Sequence, residues 1–253
     1  MRLKRAGVLT SSLGTEGGRW AKEVDRLADS LTRLVGDCLL CAACVNYLGP
    51  FSGSYRDELL EQWRSRVEQS GVAVSADWAI ERVLSSPVEQ RQWAINALPA
   101  GHDATTDAVI VKHALRWPLL IDPQGQAARW IRASEAPYGL RAIKVSDPLM
   151  IKVVEAAAAS GGPVLIESVN TSEAALEPSL EALLTLSVHR SASRLTVRLG
   201  ESDVEISPAF RLYMCATVPN PHFLPEVCIR ATIINFTVTS QGLREQLLAT
   251  VVR

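Results

Sequence analysis

The chain has 253 residues, 47% of them hydrophobic and 21% charged, which fits an ordinary globular protein of one large or two smaller domains. A formal net charge of −1 lacks the basic excess expected of a nucleic-acid or membrane-surface protein. Five cysteines, an odd number without extracellular spacing, point to reduced thiols rather than a disulfide framework.

Taken in chain order, the first segment is not expected to be a secretory leader: Arg2, Lys4 and Arg5 precede only Ala6-Gly7-Val8-Leu9 before polar residues resume. Gly14, Gly17 and Gly18 predict a break. Apolar residues then fall at Trp20, Val24, Leu27, Leu31, Leu34, Cys38, Cys41, Val45 and Leu48. The steps alternate four and three, the a/d seam of a coiled coil lasting about four heptads. Gly49-Pro50 stops the helix. The run Cys38 to Val45 is far short of the roughly 20 apolar residues of a membrane span and is expected to be buried in protein.

Further helices are expected over 54–69, 78–84 and from Pro87 to Pro99. From residue 107 strands and helices alternate. Strands are predicted at 108–111, 118–121, 140–145, 163–166, 210–216 and 231–238, with a hairpin of 194–199 and 204–206. Helices are predicted at 124–133, from the Ser146-Asp147-Pro148 cap to about 159, at 178–186 and at 241–252. This order indicates an α/β layered domain with a mostly parallel sheet.

The candidate chemistry centres on the segment after 118–121. A phosphate-binding loop follows a buried strand, opens a helix, wraps phosphates with backbone N–H groups and supplies a Lys and a Ser/Thr. In Asp122-Pro123-Gln124-Gly125-Gln126-Ala127-Ala128-Arg129 the first glycine position holds Asp122 and the last holds Ala127. Ala128 stands at the lysine and Arg129 at the Ser/Thr. A carboxylate at the entrance repels a polyphosphate, and no ammonium offsets it. The loop alone is equally consistent with a plain strand–turn–helix. Pro163-Val164-Leu165-Ile166-Glu167-Ser168 has the form of a Walker B strand in which Ser168 replaces a second acid.

Thr217 and Asn220 occupy the place of a polar sensor, although Pro219 and Pro221 favour a turn. Arg230, just before the last strand, is either a surface arginine or a finger reaching a neighbour's nucleotide. Cys38, Cys41 and Cys44 resemble part of an iron–sulfur run without its fourth ligand and are expected to be core thiols. His102, His113, His189 and His222 have no metal spacing, and no G-x-S-x-G is present.

Several strings carry a family resemblance. Leu34-Val35-Gly36-Asp37 through Asn46-Tyr47-Leu48-Gly49-Pro50-Phe51 resembles the place where the returning stalk helix of a dynein heavy chain re-enters the motor ring. Arg116 through Ala127 resembles the degenerate P-loop of that ring's fifth AAA+ module. Gly162 to Glu167, Asn220 to Val227 and Asn235 to Thr239 resemble further blocks of it. Gln124 and the Asn-Pro-His-Phe-Leu-Pro-Glu string are closer to axonemal than to cytoplasmic chains.

The resemblance implies a P-loop NTPase-like (AAA+) three-layer domain preceded by a helical coiled-coil segment. Residues 1–70 would be the end of the stalk and the helical remainder of the preceding module's small subdomain. Residues 75–253 would be the large subdomain of a degenerate fifth module. It implies no catalytic residue and no bound cofactor, with ATP and Mg²⁺ not expected to bind. Glu167 would be a vestige, and Arg230 a candidate inter-module arginine.

The implied partners are neighbouring AAA+ modules and the stalk helix of the same heavy chain. Microtubules would be reached through a stalk tip, and light and intermediate chains through a tail, both expected to lie outside this fragment. No nucleic acid or membrane is expected, and the location would be the ciliary axoneme, with the cytoplasm as alternative. Two other readings remain: a divergent ATPase using Glu167, Gly125 and Arg129 as substitute cation, and a metal-binding helical protein.

Overall fold

The computed structural model describes residues 2–169, 183–184, 195–199, 202–223 and 225–251. Helix α1 runs Arg2–Ala43 and passes into a π-helical turn, Cys44–Leu48. The break expected at Gly14, Gly17 and Gly18 does not occur. A glycine costs a helix about 1 kcal/mol, but it ends one only where a left-handed turn or a proline follows, and neither does here.

The heptad seam is exposed over its first six positions and enters the core over its last three, Cys41, Val45 and Leu48. Trp20, Val24, Leu27, Leu31 and Leu34 are all exposed, and so is Cys38, which the heptad places on the seam. Burial begins instead with Gly36, Asp37, Leu40, Cys41 and Cys44. The buried face is wider than the seam and takes in its last three positions. The upper part of α1 therefore leaves its seam for a partner helix, while the lower part packs on the domain. By length and composition Glu16–Leu48 also passes for a membrane span, a longer apolar stretch than the sequence reading counted. Below Leu34, Leu40, Cys41, Cys44, Val45 and Leu48 of that stretch are buried against the domain.

Three contacts fix the lower end of α1. Gly36 lies so close to the 72–74 segment that a Cβ would meet the Ala73 carbonyl oxygen at 2.3 Å. The buried Asp37 carboxylate accepts from the Ser75 amide at 2.9 Å and the Ser75 hydroxyl at 2.6 Å. Arg56, in the first turn of α2 (Gly53–Gln69), donates through Nε to the Leu48 carbonyl and through Nη2 to the Gly49 carbonyl. Its Nη1 sits 2.6 Å from Asp107 Oδ1. That contact is a close ion pair rather than an aligned hydrogen bond, since Oδ1 has no well-directed donor. Burial pushes the Asp107 carboxyl up, and the Arg56 charge pulls it back.

Short helices α3 (Ile80–Leu84) and α4 (Pro87–Ile95) follow, α4 opened by a Ser86/Glu89 capping box. Helix α5 (His102–His113) contains the residues 108–111 that the sequence reading made a strand. Ala108, Val109 and Ile110 are fully buried. A helix enclosed on most sides shows a continuous apolar run, which periodicity cannot separate from a buried strand.

The sheet is built from β1 (Pro118–Ile121), β2 (Arg141–Lys144), β3 (Pro163–Glu167), β6 (Arg211–Ala216) and β7 (Thr232–Asn235), in the order β2-β3-β6-β1-β7 with every pair parallel. Side chains alternate between two apolar layers. Leu120, Leu165, Cys215 and Ile234 face α5, the end of α1 and α6 (Gln126–Glu135). Leu119, Val164, Ile166, Leu212 and Met214 face α7 (Met150–Ser160). Covering both faces explains the unbroken apolar runs of β1 and β3. The expected Ser146-Asp147-Pro148 cap is an Asx turn: Asp147 Oδ1 accepts from the Leu149 amide, ahead of the helix.

Strands β4 (Leu195–Leu199) and β5 (Ser202–Ile206) form the expected antiparallel hairpin. The predicted last strand shortens to β7, between a helix the sequence reading missed, α8 (Pro225–Arg230), and α9 (Ser240–Val251). The helix predicted at 178–186 lies outside the described residues except for Leu183 and Leu184, which are helical and buried.

The end of α1 is welded to the sheet edge. The Asn235 amide donates to the Gly49 carbonyl at 2.9 Å. A Cβ on Gly49 would stand 2.2 Å from the Ile233 carbonyl oxygen, a backbone atom that cannot swing aside. Gly17 has nothing within 4 Å of its Cβ position. Gly49→Ala should therefore destabilise by about 1–3 kcal/mol through overpacking, while Gly17→Ala should stabilise by up to about 1 kcal/mol. Urea unfolding of both variants checks this; shifts of the same sign would refute the assignment.

Candidate functional site

The sheet order places β1 between β6 and β7. The chain leaves β1 toward β2 on one side and later crosses from β6 to β7 on the other. The carboxyl end of β1 is thus the topological switch point, where parallel sheets hold ligands. The loop 122–129 sits there.

Its backbone follows the strand–turn–helix path. The Asp122 amide extends the β1 ladder to the Ala216 carbonyl, and the Gly125 amide donates to the Asp122 carbonyl at 3.3 Å. Gly125, at φ 69°, is the left-handed residue before α6. The decisive feature is the Asp122 side chain, 2% exposed. Its Oδ1 accepts from the Gln126 amide at 2.8 Å and its Oδ2 from the Ala128 amide at 2.9 Å. These are the N–H groups at a helix start that would otherwise meet an external anion. The loop carries its own anion and turns it inward. Burial pushes the Asp122 carboxyl above its ordinary range, against the amides of Ala128, Gln126, Ala127 and Gly125, which pull it down.

The other loop residues separate. Ala127 is fully buried in the core. Pro123 and Ala128 are half-buried, and Gln124 and Arg129 are exposed. Gln126 turns its amide to Gln246 of α9, 3.2 Å from Nε2 to Oε1. Beside that pair, bounded by Gly101, Phe236 and Thr239, lies a cavity of about 30 Å³. Small-molecule pockets run to roughly 300–1,000 Å³, so this space suits a water or two.

Glu167 closes β3 at the same edge, but its partner is Arg132 of α6 at 2.6 Å, not Arg129. Ser168 follows with φ 61°, an unusual conformation for a residue with a Cβ. Thr217 and Asn220 lie in an exposed segment after β6, in keeping with the turn reading. Arg230 ends α8, ahead of the amino end of β7, so the structure does not bring it to Asp122. Gln246 and Arg132 were missed by the sequence reading. Arg132 had a signal in the helix period: it lies one turn beyond Arg129.

The cysteines do not converge. Cys41 and Cys44 lie in the core, and burial pushes each thiol up to about 12, while Cys38 faces outward. Among the described residues no three His, Cys, Asp or Glu side chains are grouped to hold a metal. His113 contacts the Leu84 carbonyl, His222 is exposed, and His189 lies outside the described residues. His102 bridges α3 and α2, with Nδ1 3.4 Å from Glu81 and Nε2 3.9 Å from Asp57.

Comparison with known proteins agrees with this architecture. Residues 91–253 match the family described as the ATP-binding dynein motor region, and residues 2–67 match that of the microtubule-binding stalk of the dynein motor. The chain is 41% identical over 252 residues to dynein axonemal heavy chain 6 of Homo sapiens and 41% identical over 254 residues to dynein axonemal heavy chain 2 of Mus musculus. It is 36% identical over 250 residues to dynein axonemal heavy chain 3 of Homo sapiens. These matches cover 99–100% of this chain but 6% of the length of each relative. The chain belongs to the dynein heavy chain family, and its fold is an α/β AAA+ domain preceded by a helical stalk segment.

Two outcomes follow for this region. Asp122→Ala removes both acceptors at the start of α6 and should cost about 1–2 kcal/mol, read by chemical denaturation; no loss would mean that the two bonds contribute nothing. The Glu81 hydrogen bond raises His102 above 6.5 despite burial. Burial also works on Glu81, upward, but its hydrogen bond with His102 holds it below 4.5. The raised histidine contributes stability that is full below 6.5 and lost as pH rises through its folded value. The lowered glutamate contributes stability that is lost as pH falls through its folded value. Histidine NMR should show His102 titrating above 6.5, and Glu81→Gln should bring it down; an unchanged midpoint would remove the bridge.

Proposed function

We propose that this chain is a non-catalytic, mechanical AAA+ module of an axonemal dynein motor, coupling the ATPase ring to the stalk in microtubule-based ciliary movement. Residues 1–70 are the stalk end with the helical remainder of the preceding small subdomain, and residues 75–253 the large subdomain of a degenerate module. It works in the cytoskeleton of the axoneme, against neighbouring AAA+ modules and the stalk helix of the same heavy chain. Contact with microtubules goes through the stalk tip, and contact with light and intermediate chains through the tail. The parent motor is the microtubule-dependent ATPase; this module holds no ATP or Mg²⁺.

The observation that carries the reading is the Asp122 carboxylate bonded to the Gln126 and Ala128 amides. A phosphate would have to displace a covalently tethered anion from the same donors. Ala128 stands where a phosphate-binding loop has its lysine, so no ammonium is supplied there. The divergent-ATPase reading finds little support, because Arg129 is exposed and Glu167 is engaged by Arg132.

The mechanical half of the reading rests on α1. Its exposed seam requires a partner helix, and its lower end is joined to the sheet through Arg56, Asp107 and Gly49. A rigid-body movement of the sheet then moves the stalk helix with it, which can shift its register against that partner. Calorimetric titration with ATP and Mg²⁺ should give no saturable binding. Micromolar, Mg²⁺-dependent affinity, or turnover abolished by Glu167→Gln, would overturn the proposal.

A further inference from the structure

Helices α2, α3 and α5 border a cavity of about 230 Å³. His102, the first residue of α5, stands on its wall and reaches both other helices. Its Nδ1 lies 3.4 Å from Glu81 Oε1 on α3, and its Nε2 lies 3.9 Å from Asp57 Oδ1 on α2. A neutral imidazole carries a proton on one ring nitrogen and a lone pair on the other. The lone pair would then face a carboxylate. Only the imidazolium serves both sides, and the half-exposed ring exchanges its proton with solvent directly.

The surroundings leave that charge without a substitute. From α2, Asp57, Glu61, Arg56 and Arg64 face the cavity. Arg56 is committed to Asp107, and Arg64 to Glu68 and the Ser75 and Ala76 carbonyls. From α3 comes Glu81, whose Oε2 is buried with no hydrogen-bond partner among the described residues. Arg82, next to it, is turned to Asp77. From α5 comes Asp103, whose Oδ2 accepts from the Thr239 hydroxyl at 3.3 Å. Cys44, in the π-helical turn, is held uncharged, since burial pushes its thiol up to about 12. Four carboxylates thus border the space, and both arginines on its wall are already engaged.

One residue before Asp57, Arg56 holds the Leu48 and Gly49 carbonyls at the end of the stalk helix. The seat of α2 therefore bears on the anchorage of α1.

We propose that His102 is a proton-operated latch: its imidazolium holds α2 against α3 and α5, and loss of the proton loosens α2 and, through Arg56, the lower end of α1. What the movement serves rests on the mechanical reading above. The latch itself is read on α2 alone, so ATP binding, which would sink that reading, leaves it standing.

The direction of the response follows from the contacts. The Glu81 hydrogen bond raises His102 above 6.5, so the latch is closed below that value and opens as pH rises through the folded one. Asp107 responds the other way. Burial pushes it up, and any charge it gains with rising pH tightens its pair with Arg56.

Amide hydrogen exchange of the purified chain tests this, as protection relative to an unstructured chain at the same pH. From about pH 6 to about pH 8.5, either side of histidine titration, protection over residues 57–64 should fall about threefold or more. Helix α7, on the other face of the sheet, should not change. His102→Gln should show the low protection at both values, and His102→Lys, which keeps a charge, the high one. Constant protection in the unaltered chain, a fall of the same size in His102→Gln, or an equal fall in α7 would overturn the latch.

Discussion

Arg56 is 3% exposed and reaches three elements at once. It supplies donors to the Leu48 and Gly49 carbonyls, which the end of a helix leaves unsatisfied, and it meets Asp107 on α5. Without Asp107 its charge would be buried and uncompensated, and without Arg56 the carboxylate would be. Breaking one side of such a pair typically costs about 3–5 kcal/mol. The end of α1, the start of α2 and the core helix under the sheet are therefore held as one body. The last carbonyls of that helical segment are thus held by directed hydrogen bonds as well as by apolar contact.

The loop at Asp122 follows the same logic at the other end of α5's neighbourhood. A helix start at a topological switch point invites an anion, and here the chain supplies it. The gain is a closed and rigid loop, with Gln126 tied to Gln246 of the last helix. The helix-start donors meet a tethered carboxylate, and an amide pair joins the loop to α9.

Much of the fold was legible in advance. The β1 and β3 runs and the hairpin rest on local chemistry: apolar strands covered on both faces, and a turn between alternating strands. The failures share a cause. Residues 108–111 read as a strand because burial on most sides erases helical period. Cys38 was expected in the core because heptads cannot reveal where along the seam burial begins. Glycines 14, 17 and 18 were read as a break although nothing beside them offers the backbone an alternative.

By itself, the sequence determined the layered α/β class, the coiled-coil periodicity, the missing lysine and the presence of an acid at the loop mouth. These depend on residue type and spacing alone. Only the tertiary structure decided what that acid does. An aspartate repelling phosphate from outside and one occupying the phosphate's place have the same letter. They differ in a side-chain direction set by the packing of α6 on the sheet. The same holds for Arg132 rather than Arg129 meeting Glu167, and for Arg56 finding Asp107 across fifty residues of chain. Partners distant in sequence are chosen by the three-dimensional packing of elements, and no local pattern encodes them.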